Sequence, residues 1–80
     1  MTNSNQKPAA KFRDGNLTAT LWKNASEKGT FYSTEFERSY KDGEDYKVSR
    51  SFSGNELLRV ARLANKAYDK EQDLRTADKI

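Results

Sequence analysis

The chain has 80 residues, 34% of them hydrophobic and 34% charged, and its 15 Lys and Arg against 12 Asp and Glu give a net charge of +3. A domain of this length hides only roughly 60% of the surface its open chain exposes, so a thin core is expected and self-association is a natural remedy. With no cysteine and no histidine, disulfides, thiolate metal sites and the most frequent general base are excluded.

The opening stretch MTNSNQKPAA is polar, holds the one proline and carries no apolar signal core. Residues 1–9 are read as a flexible arm. No apolar run reaches the roughly 18 residues of a membrane helix, so a cytoplasmic protein without a membrane partner is expected. Asp14-Gly15 suits a type I′ turn, in which both central residues take positive φ. A hairpin closing there opposes Phe12 to Leu17, Arg13 to Asn16 and Lys11 to Thr18. Leu17, Ala19 and Leu21 alternate with Thr18, Thr20 and Trp22, the period of a half-buried strand.

The stretch TFYSTEFERSY (30–40) alternates again, with Tyr32, Thr34, Phe36, Arg38 and Tyr40 on one face and Phe31, Ser33, Glu35, Glu37 and Ser39 on the other. Lys41 to Asp45 reads as a solvated turn, because its carboxylates do not follow calcium-loop spacing. YKVSRSF (46–52) is a fourth strand with Tyr46, Val48, Arg50 and Phe52 on one side. Ser53-Gly54-Asn55-Glu56 has the form of a capping box. It opens a helix over about 54–73, with Leu57, Val60, Ala61, Ala64, Ala67 and Tyr68 on one stripe and Leu63 at its margin. Residues 74–80 are read as a frayed tail.

The pattern predicts an α+β fold of class ββββα: a four-stranded antiparallel meander followed by one C-terminal helix on one sheet face, as a single domain over 10–73. The apolar face is Phe12, Leu17, Ala19, Leu21, Tyr32, Thr34, Phe36, Tyr40, Val48 and Phe52. Registers consistent with it set residue 22 across from 31, 20 from 33, 18 from 35, 37 from 49 and 39 from 47. Trp22 and Phe31 then point away from the helix, among Lys11, Arg13, Thr18, Thr20, Ser33, Ser39, Lys47, Ser49 and Ser51, with Lys23 and Lys28 beside them.

Aromatic faces that stack on bases, at about 1–3 kcal/mol each, combine with cations along the backbone in proteins that hold single-stranded nucleic acid. Serine and threonine hydroxyls can add contacts to phosphate or sugar. Glu35 and Glu37 share the face and oppose this reading. Two alternatives stay open: a protein-interaction or self-association surface, and a solvated face whose Trp–Phe pair steadies a hairpin by about 0.2–1 kcal/mol. Arg38 and Arg50, on the core side, are expected to snorkel past the helix and pair with an acid such as Glu56; the alternative is that they line a cleft beside the helix or a dimer seam.

Catalysis is not expected. Gly15, Gly29, Gly43 and Gly54 each stand alone and form no phosphate loop. Nothing marks an activated serine, and Glu35 and Glu37 lack a cleft that would separate their acidities. No cofactor or metal is called for.

In NLTATLW, FYSTEFERSYKDGED and YKVSRSFSGNEL, the element order and the strand-to-helix junction over about Leu17–Tyr68 resemble the positive-cofactor-four family of single-stranded-DNA-binding transcription coactivators. The resemblance implies a homodimer whose sheets form a positive, aromatic-bearing groove for single-stranded DNA or RNA. Carried onto this chain, the implied contacts are Trp22, Lys23, Lys28, Phe31, Lys47 and Ser49. Lys11 and Arg13 join them from the face assignment alone. Glu35 and Glu37 depart from the neutral or basic residues the family favours there.

Overall fold

The computed structural model describes residues 7–78, so most of the expected arm and the last two residues of the expected tail lie outside the described residues. Strands β1 (Ala10–Asp14), β2 (Leu17–Ser26), β3 (Gly29–Asp42) and β4 (Asp45–Ser49) form one antiparallel sheet in the order β1-β2-β3-β4, and helix α1 (Asn55–Asp78) follows. This is the ββββα architecture expected from the sequence. Ala9 already belongs to it, donating its N–H to the Leu21 carbonyl at 2.8 Å.

Two-residue turns close all three hairpins, with Asp14 opposite Leu17, Ser26 opposite Gly29 and Asp42 opposite Asp45. The first turn is therefore centred on Gly15-Asn16, not Asp14-Gly15. Gly15 has φ 61° and, among the described residues, no non-glycine residue has positive φ, which fits a glycine-first type II′ turn. Phe12 consequently opposes Ala19, Lys11 opposes Thr20 and Arg13 opposes Thr18. Between β2 and β3, Trp22 opposes Ser33 in place of Phe31. Both ladders are displaced by two residues from expectation. An even displacement leaves every side chain on its expected face.

The last hairpin differs in kind. Gly43, at φ 68°, and Glu44 form its turn, so Ser39 opposes Val48, Tyr40 opposes Lys47 and Arg38 opposes Ser49. This is an odd displacement, and an odd displacement exchanges the two faces of a strand. Tyr46 and Val48 thus lie on the side away from the helix, while Lys47 and Ser49 lie on the helix side. The alternation in YKVSRSF runs into Phe52, which does pack against the core. Phe52 lies beyond the end of β4, however, in irregular chain leading to the helix, so it carries no information about the facing of β4.

Leu17, Ala19 and Leu21 are fully buried, Leu63 of α1 packs against Leu17 and Ala19, and Ala67 of α1 is also buried. Phe12, Phe36, Phe52 and Val60 pack around this centre. The helix lies across β1 and β2, touches β3 at its margin and makes no contact with β4. Its buried stripe is accordingly Val60, Leu63 and Ala67, continued by half-buried Leu74. Leu63 is central to that stripe, not marginal, and Leu57 and Tyr68 are 59% and 63% exposed. The helix continues past the expected end at residue 73 and includes an Arg75–Glu71 ion pair of 3.8 Å.

At its start, Glu56 accepts the Ser53 N–H at 3.0 Å, the reach-back half of the capping box. Arg38 donates to the Ser51 carbonyl at 3.1 Å and lies 3.6 Å from Glu56, which ties β3 to the helix entrance as expected. Arg50 behaves otherwise. It pairs with Glu37 at 3.5 Å on the opposite face, following the reversed strand.

Candidate nucleic-acid interface

The face opposite α1 is built by the alternation of β2. With Leu17, Ala19 and Leu21 in the core, Thr18, Thr20 and Trp22 must project the other way. The indole of Trp22 is half-buried and its N–H donates to the Glu35 carboxylate at 3.2 Å. Phe31 opposes Asn24, so it lies diagonal to Trp22, and it is 53% exposed. Asn24 donates to the Ser33 hydroxyl at 3.0 Å and fills the position between them.

Two cross-strand rows carry the charge. In one, Lys11, Thr20 and Glu35 lie side by side; in the other, Arg13, Thr18 and Glu37 do, and Arg50 closes it. Both carboxylates therefore have partners, the indole for one and a guanidinium for the other. Lys11 and Arg13 make no ion pair among the described residues. Farther along, Lys41 opposes Tyr46 and lies 5.8 Å from the centre of its ring.

Of the residues singled out in the sequence, Lys11, Arg13, Trp22 and Phe31 share this face. Lys28 is exposed in the turn at its end, where its backbone N–H donates to the Ser26 hydroxyl at 3.3 Å. Strand parity moves Lys47 and Ser49 to the other face, and Lys23, expected in or beside the loop, lies within β2. Lys23 opposes Tyr32 on the helix-side face. Lys47 is also on that side, paired with Asp42 at 2.9 Å. Ser49 opposes Arg38 there, and its hydroxyl accepts the Ser51 N–H at 3.0 Å.

In exchange the outer face gains Tyr46 and Val48, which are 76% and 56% exposed. Sequence reasoning missed them. The available signal was Gly43, which sits in its turn as Gly15 does in the first. Tyr46 stands level with residue 41 and Trp22 level with residue 33, so the two aromatic sites are separated by ~26 Å along β3. Between them run hydroxyls and the two acid rows.

Among the described residues, no group of metal-ligating side chains could hold an ion and no helix is long and apolar enough to cross a membrane. No protein-family model, curated protein or solved structure matches the chain.

Proposed function

We propose that this chain is a non-catalytic protein that binds single-stranded nucleic acid, DNA in preference to RNA, as a dimeric accessory factor in transcription or replication. The observation that carries the reading is the placement of Trp22 and Phe31 on the face away from the helix, which also carries Lys11 and Arg13, cations with no ion pair among the described residues. Exposed Phe31 and the open part of half-buried Trp22 offer stacking surfaces that tolerate any base, and the cations of the edge strand β1 displace the counterions of a phosphate backbone. Glu35 and Glu37 weaken the field but already have partners within the protein. The preference for DNA follows the family resemblance.

Titration of the Trp22 fluorescence with a single-stranded oligonucleotide at two salt concentrations tests this. Quenching that saturates at low salt, and weakens with a slope of about −0.7 per phosphate contacted, is expected. Trp22→Ala should cost about 1–3 kcal/mol of binding, followed by gel shift. An absence of quenching and of any gel shift at low salt would overturn the reading.

A protein-interaction or self-association module without a nucleic-acid role is the second reading. It is favoured by one observation, the exposure of Leu57 and Tyr68 on one flank of α1 beside a half-sheet that the helix leaves bare. An oligomer indifferent to oligonucleotide and salt would favour this second reading.

A further inference from the structure

On the β1 edge, Arg13, Asp14, Arg62, Leu63 and Lys66 line an open cleft of about 240 Å³. Its cations come from two elements. Arg13 is on the edge strand, and Arg62 and Lys66 are four positions apart on α1, hence on one helix flank. Asp14 is the one acid in the lining. Its carboxylate is held by Arg59 Nε at 3.3 Å, and its carbonyl accepts from Arg59 Nη2 at 2.6 Å.

Arg59 thus compensates the acid, and Arg13, Arg62 and Lys66 have no ion pair among the described residues. Three like charges beside one small concavity repel one another, and a bound anion relieves that repulsion. Leu63 is the single apolar residue in the lining. The cleft therefore lacks a wall on which a base or other ring could rest.

We propose that this cleft is a phosphate-binding site, in which Arg13, Arg62 and Lys66 hold one phosphoryl group by charge-assisted hydrogen bonds. The group is either a free phosphate or one phosphate of a nucleic-acid backbone. Arg13 stands between this cleft and the outer sheet face, so a strand lying on that face could turn over the β1 edge into the cleft. The site itself does not depend on base stacking at Trp22, and it stands or falls separately.

Backbone amide resonances of 62–67 followed during titration with inorganic phosphate, against chloride at equal ionic strength, provide the test. Saturable shifts confined to the cleft with phosphate alone are expected. Arg62→Gln and Lys66→Gln lie on an exposed flank and keep good helix formers. Each should weaken phosphate binding roughly tenfold, the order of one charge-assisted contact. Equal shifts with chloride, or shifts that survive in the double variant, overturn the site. In a second arm, a single-stranded oligonucleotide that displaces phosphate supports a backbone phosphate as ligand. An oligonucleotide that quenches Trp22 yet leaves the phosphate in place supports a free phosphate. The titration with inorganic phosphate alone reads the cleft even if no oligonucleotide binds.

Discussion

Gly15 joins a backbone requirement to a side-chain contact. Its φ of 61° lies in the left-handed region, where a Cβ costs about 1–2 kcal/mol. A Cβ added there would also meet Arg59 Nη2 at 2.6 Å, the atom that donates to the Asp14 carbonyl. Gly43 occupies the same place in the last hairpin, at φ 68°, with nothing within 4 Å of a Cβ. The two glycines separate the two effects. Gly43→Ala should lower the unfolding free energy by about 1 kcal/mol, and Gly15→Ala by about 1 kcal/mol more, because Arg59 must give up its hydrogen bonds. Urea denaturation measures both. Equal losses would mean that Arg59 swings aside without cost, and that the β1–β2 turn does not depend on its link to the helix.

At the scale of elements, the position of α1 decides which of its apolar residues matter to folding. The helix covers β1 and β2, so Leu63, which is 2% exposed, fills the core while Leu57 stands in the open. Leu63→Ala should cost about 2–5 kcal/mol, whereas Leu57→Ala in dilute protein should change stability by no more than ~0.5 kcal/mol. Denaturation midpoints of the two variants give the comparison, and the reverse ranking would place the helix over the other half of the sheet. Strand order, the far-side placement of Trp22 and the acidic end of the capping box were all legible in the sequence, because alternation and capping are local signals. Helix placement was legible only in part: Val60 and Ala67 of the expected stripe do face the core, but Leu57, Ala61 and Tyr68 extend that stripe as well by spacing as Leu63 does. The facing of β4 failed for a related reason: Tyr46 and Val48 look like core residues by composition, and only the length of the Gly43-Glu44 turn reveals their parity. That one odd displacement moved Lys47 and Ser49 off the candidate interface and brought Tyr46 onto it.

For the whole molecule, the off-centre helix leaves a surface that a small domain would be expected to cover. The radius of gyration is 14.5 Å, against roughly 11–12 Å for a compact chain of this length. Arg59, Arg62 and Lys66 lie on the β1 side of α1, so by helical periodicity Leu57, Ala61 and Tyr68 fall on the opposite flank, the side of β3 and β4, where Tyr40 is also exposed. A second copy of the chain is the occupant we propose for this flank. In a two-fold pair each helix flank would lie on its partner, every apolar contact would count twice, and the outer faces of both sheets would remain open. Two linked stacking surfaces would also strengthen binding to one long strand without any new contact. Equilibrium sedimentation should therefore find a dimer, and Leu57→Lys combined with Tyr68→Lys should return it to a monomer with unchanged helicity, since neither side chain belongs to the core. Burying one such leucine is worth about 1.5–3 kcal/mol, so with both copies altered the dissociation constant should rise at least a hundredfold. A wild-type chain that sediments as a monomer at high concentration would refute the dimer and leave the nucleic-acid face to act alone; a variant that remains dimeric would place the interface elsewhere, with the free edge of β4 as the next surface to alter.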